Sequence, residues 1–173
     1  MSGWRCGGRN WFNTTLRRAL ALGGALLLPP VLFAADAPAP HYPEGAASFQ
    51  ANCAVCHGAA GTGLPSLAPP LTSYPAHYAA SAEGRRQLGM TVLYGLYGEI
   101  TVDEKHFDFK MPDFSRLDDA TLAATLNFVI FDLGHAPESV KPLGANEIAA
   151  EREHVIDGAA VREHRKGVVP VTP

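Results

Sequence analysis

The chain has 173 residues, 47% of them hydrophobic, which is one domain's worth of sequence and enough for a single packed core. Its 14 basic and 17 acidic residues leave a formal net charge of −3, and removing the first 37 residues, with their four arginines and one aspartate, takes it to −6. That acidity argues against a nucleic-acid partner and says only that a docking partner's face would be basic.

Arg5, Arg9, Arg17 and Arg18 precede an apolar run from Ala19 to Phe33 that ends in the small residues Ala34, Ala35 and Ala37, the layout of a secretory signal peptide. As a membrane span the run is too short, and Pro29 and Pro30 interrupt it, where about 20 apolar residues are needed. An uncleaved anchor is the rival reading. The adjacent Arg17 and Arg18 match a twin-arginine signal only weakly, and Cys6 is an inert thiol lost with the leader. The expected organisation is a leader over 1–35, a linker over 36–43, a folded domain over 44–135 and a polar tail over 136–173.

Glu44 to Val55 reads as an amphipathic first helix, with Phe49 four residues before Cys53 and on the same face. Cys53, Ala54, Val55, Cys56 and His57 then spell C-x-x-C-H, the string of c-type haem attachment. Two thiols three positions apart can each add across one of haem's two vinyl groups, and the histidine that follows becomes an axial iron ligand. A redox dithiol and half of a zinc site are the competing readings. Neither needs a histidine directly after the second cysteine. One such string implies one haem per chain.

Gly58, Gly61, Gly63, Pro65, Pro69 and Pro70 break regular structure next, as expected where the backbone wraps a flat ligand. Ser81 to Tyr97 reads as a second helix on the apolar recurrence of Leu88, Val92 and Leu96, ended by Gly95 and Gly98. Asp118 caps a third, in which Leu122, Leu126, Val129 and Leu133 carry the stripe and Gly134 closes the segment. Few runs look like strands, so the fold class is all-α. Packing of the first helix on the third through Gly45, Phe49 and Phe128 would close the fold around the haem.

From about Glu44 to Gly134 the chain resembles the class I c-type cytochromes. The resemblance rests on Gly45 and Phe49 in the first helix, the string from Cys53 to His57, the loop Ala68, Pro69, Pro70, Leu71, and Lys110, Met111, Pro112 ahead of the last helix. It implies the class I cytochrome c fold, a covalent haem c on Cys53 and Cys56, and an iron held by His57 and, from a loop on the far side, Met111. Pro112 keeps Met111 extended, as a projecting ligand needs, and a thioether favours iron(II). It further implies that a proline carbonyl receives the second ring nitrogen of His57. Pro69 fits best, Pro70 is open as an alternative, and Leu71 packs on the porphyrin. Met90 falls on an apolar helix face as core filler, and His106 is the alternative distal ligand. Tyr74, Tyr94 and Tyr97 are within sequence reach of a propionate, though a tyrosine buried at a helix end is the commoner outcome.

The resemblance extends to the small bacterial cytochromes that accompany periplasmic dehydrogenases, on Gly95 to Thr101, Lys110 to Phe114 and Leu117 to Val129. It implies a periplasmic carrier of single electrons, not an enzyme, with a dehydrogenase as donor and another cytochrome or a terminal oxidase as acceptor. The charged insert from Asp103 to Asp108 departs from that pattern. If Met111 does not bind, the alternative is a haem enzyme or a haem-based sensor with an open or exchangeable distal site. In the tail, Asn146 to Glu153 and Ala159 to Lys166 are short helix candidates. Two readings stand for it: a segment draped on the domain or partly disordered, and a partner-docking arm.

Overall fold

The computed structural model describes residues 39–168. The leader expected over 1–35 lies outside them. Helix α1 (Pro43–Asn52) starts with a proline, whose missing N–H would be unpaired in the first turn anyway. It is followed by a single turn, α2 (Ala54–His57), and the short α3 (Tyr74–Ala79). Helix α4 runs Ala82–Tyr94, capped by Ser81, whose hydroxyl accepts the Gly84 N–H at 3.1 Å. It stops three residues short of the sequence expectation, because Gly95 turns to φ +71°. Helix α5 (Asp119–Asn127) is capped by Asp118, which accepts the Thr121 N–H at 2.7 Å.

The stripe expected to run on to Gly134 widens into a π turn over Phe128–Leu133. There the Gly134 N–H reaches back to the Val129 carbonyl at 2.9 Å. The turn places Asp132 so that its carboxylate accepts the backbone N–H groups of His41 and Tyr42, at 2.8 and 3.1 Å.

The main helix crossing is α1 on α5. A β-carbon on Gly45 would stand 2.0 Å from the Ala124 carbonyl oxygen, so only glycine allows the two backbones to come this close. Fully buried Phe49 meets Phe128 with ring centroids 5.4 Å apart and planes tilted by 52°.

Two parts differ from the sequence expectation. The charged insert forms an antiparallel hairpin, β1 (Ile100–Val102) with β2 (Lys105–Phe107), in the register Ile100 to Phe107 and Val102 to Lys105. Its two-residue turn puts Asp103 and Glu104 at φ +47° and +64°, the left-handed pair that matches strand twist. Val102 and Phe107 face inward, while Thr101, Lys105 and His106 are exposed.

The second difference is the domain boundary: the two short helices expected in the tail form within a residue at each end, and the packed core continues past residue 135. Helices α6 (Ala145–Arg152) and α7 (Gly158–Gly167) pack back on α4 and α5, and Ile148 and Val161 are fully buried. Val140, Leu143, Ile148 and Val168 belong to the same apolar cluster as Leu93, Leu122 and Ile130. Polar ties add to this apolar burial. The buried Asn127 side chain donates to the Leu143 carbonyl at 3.0 Å and accepts its N–H at 2.7 Å. Arg85 grips the Glu147 carboxylate with two nitrogens, at 2.7 and 2.8 Å, and also donates to the carbonyls of Lys141 and Pro142.

Candidate haem site

A largely apolar cleft of about 1390 Å³, counting the solvent-open space at its mouth, runs between these elements. Its walls bring together every residue the sequence analysis assigned to the site: Cys53, Cys56, His57, Pro69, Leu71 and Met111. The hairpin adds Ile100, Val102 and Phe107, which that analysis did not anticipate, and α7 adds Arg165.

Cys53 and Cys56 are half-buried and not bonded to each other, on the turn where α1 passes into α2. Burial, helped by the neighbouring Cys56 sulfur, pushes the Cys53 thiol up to about 11, so it is protonated at neutral pH.

His57 is 7% exposed, and burial lowers its proton affinity, partly offset by its bond to Pro69, so the ring is neutral. Its Nδ1 lies 2.9 Å from the Pro69 carbonyl oxygen. A carbonyl can only accept, so Nδ1 carries the hydrogen and Nε2 keeps its lone pair for a metal. The carbonyl is in place because the loop is laced to itself: Gly63 N–H bonds the His57 carbonyl at 2.8 Å, and Leu71 N–H bonds the Gly61 carbonyl at 2.7 Å.

Met111 reaches the cleft from the strand-like segment after the hairpin. Its N–H and carbonyl exchange two hydrogen bonds with Leu96, at 2.8 and 3.1 Å, which tie it to the end of α4. Met90 packs with Leu96 and Val161 in a separate apolar cluster and is absent from the cleft walls. His106 is exposed on the outer side of the hairpin, its Nδ1 2.5 Å from Glu99 Oε1, and does not line the cleft. Of the tyrosines, Tyr74 lines the cleft, Tyr94 donates its hydroxyl to the Glu151 carbonyl at 2.8 Å, and Tyr97 lies under the Lys110 ammonium.

The donor set fits haem c better than its rivals. Two thiols and an imidazole with a free lone pair face an apolar cleft, and no Asp or Glu is among its described walls. Zinc would need three or four such ligands converging, and no such group of His, Cys, Asp or Glu exists among the described residues.

The family model for Cytochrome c matches residues 42–130. The chain is also 34% identical over 122 residues to a cytochrome c-552 of Thermus thermophilus, covering 69% of this chain and 93% of that protein. The chain is a class I c-type cytochrome. A second Thermus thermophilus cytochrome c-552 matches at the same identity and covers 82% of its own length. The cytochrome's cofactor is covalently attached haem c, and its class is that of electron-transfer haem proteins. The region of identity is longer than the family match, so it takes in more of the chain than the family's own span.

Proposed function

We propose that this cytochrome is a periplasmic carrier of single electrons, its one haem joined through thioethers to Cys53 and Cys56 and its iron held between His57 and Met111. The observation that carries the reading is that His57 and Met111 line one cleft, each fixed by the backbone: the imidazole by the Pro69 carbonyl, the methionine by the paired bonds to Leu96. When bound, haem supplies a one-electron couple, and a thioether ligand raises its potential relative to harder ligands. Leu71 and the hairpin's inward Val102 and Phe107 line the same cleft and would give the group an apolar wall.

If His57 and Met111 both hold the iron, dioxygen or peroxide would have no place to coordinate, and the protein's part would be to hold its surroundings still during electron exchange. Export fits the leader-like residues 1–35. The redox partners we propose are a periplasmic dehydrogenase as donor and another cytochrome or a terminal oxidase as acceptor. Reduction of the purified protein by such a dehydrogenase tests that pairing.

The oxidised protein should show the weak far-red band of methionine-to-iron(III) charge transfer and bind carbon monoxide and cyanide slowly. Met111→Ala should remove the band, admit both ligands and lower the midpoint potential, whereas Met90→Ala should leave all three alone. A wild type that lacks the band and binds cyanide at once would instead be a haem enzyme or sensor.

A further inference from the structure

We propose that the guanidinium of Arg165, on the last helix, is the binding site for a haem propionate, which makes the C-terminal segment part of the cofactor site. The inference rests on haem occupying the cleft described above.

The argument starts from charge. Haem brings two carboxylates, and the cleft offers no acidic residue among its described walls but two permanent cations, Lys110 and Arg165. Lys110 is exposed, and its ammonium sits 5.4 Å from the centroid of the Tyr97 ring. Arg165 is half-buried, and the one hydrogen bond of its guanidinium within the described residues is a long one, 3.4 Å from Nη2 to the Thr101 carbonyl on the hairpin.

No acidic side chain pairs with Arg165 among the described residues. Elsewhere on α7, Lys166 pairs with Glu163 at 2.6 Å and His164 lies 3.5 Å from Glu83, while Arg162, also without an acidic partner among the described residues, does not line the cleft. A half-buried guanidinium at the wall of an apolar cleft, with no counter-charge among the described residues, attracts an anionic ligand.

Hydroxyl donors complete the recognition. Tyr78 and Tyr74 line the same cleft with their rings 6.2 Å apart, and neither hydroxyl has a partner among the described residues. Arg165 lines the cleft with both tyrosines, and burial raises the Tyr78 phenol's pKa while the Arg165 charge lowers it and Tyr74 raises it. A forked guanidinium and two phenols suit a carboxylate acceptor.

The test uses the intact holoprotein with haem labelled with ¹³C at its propionate carboxyls. Each carboxyl is titrated by NMR, and the midpoint potential is measured alongside. In wild type, one propionate should titrate at least one pH unit lower, a tenfold weaker proton affinity, than in Arg165→Gln. The midpoint potential should fall in that variant, since a positive charge near the iron favours the reduced form.

Lys166→Gln removes the same charge from the neighbouring exposed position and should match wild type in both measurements. Identical titrations in wild type and Arg165→Gln, or an equal shift from Lys166→Gln, would overturn the proposal. If Arg165→Gln yields no holoprotein, Arg165→Lys decides the matter: it keeps the charge and loses the fork. One propionate then titrates higher than in wild type if the site is real, because the fork is lost, and both stay at their wild-type values if it is not. The far-red band, recorded in every variant, reports separately on Met111, so a failure there is not mistaken for a failure here.

Discussion

The backbone of Gly95 lies directly against the carbonyl of Met111: a β-carbon on the glycine would stand 2.4 Å from that oxygen. The same residue has φ +71°, a conformation side chains resist. The end of α4 and the methionine segment can share two hydrogen bonds only because nothing projects between them.

Gly95→Ala should therefore both strain the turn and push Met111 outward. We expect a stability loss of roughly 1–3 kcal/mol and a weakened far-red band in protein that still carries its haem. Thermal unfolding and the oxidised spectrum check the two halves. A variant with wild-type stability and an undiminished band would mean that the close approach does not position the methionine.

Ile148 is fully buried in the core that joins α6 to α4 and α5. Ile148→Ala should cost about 2–5 kcal/mol, the range for deleting a large aliphatic from a packed site, read as a lower urea midpoint. Truncation after Ala136 should be worse, since it strips Val140, Leu143, Ile148 and Val168 from that core and leaves the Asn127 amide without its partners. A truncated chain as stable as the full one would return these residues to the status of a loose appendage.

Glu147 has its pKa lowered, chiefly by the Arg85 hydrogen bonds and further by the Gly144 N–H, against a smaller opposing effect of burial. A depressed carboxylate adds stability in full above the ordinary glutamate value of about 4.3, and that share is lost as pH falls through the lower folded value. Glu147→Gln should thus be less stable than wild type at neutral pH, by up to about 1 kcal/mol for a pair partly open to water. The gap should close in acid. Denaturation curves at pH 7 and pH 3 test this, and a gap that widens in acid would contradict the sign.

What could be read in the sequence was whatever local chemistry dictates. The C-x-x-C-H string needs no tertiary context, Asp118 caps α5 from within its own turn, and the contact of Gly45 and Phe49 with Phe128 follows from small and aromatic residues on facing helices. The hairpin escaped because its turn, Asp103 and Glu104, lacks the glycine or asparagine that usually announces two left-handed residues, and its strands are three residues each. The two C-terminal helices were legible within a residue at each end, but their docking was not, because the ties that hold them, Asn127 to Leu143 and Arg85 to Glu147, join different elements of the fold. Arg165 belongs with these: nothing about a lone arginine in a polar helix announces that it faces the cofactor's cleft.

The position of α7 bears on how such a protein is made. A chain emerges from its amino end, so the two cysteines leave the synthesis machinery long before the helix that completes the wall beside them. The wall of the cleft is therefore complete only once the last helix has docked. Any fault that delays docking of α6 and α7 would leave that wall unsealed and the final stretch of the chain open to proteases.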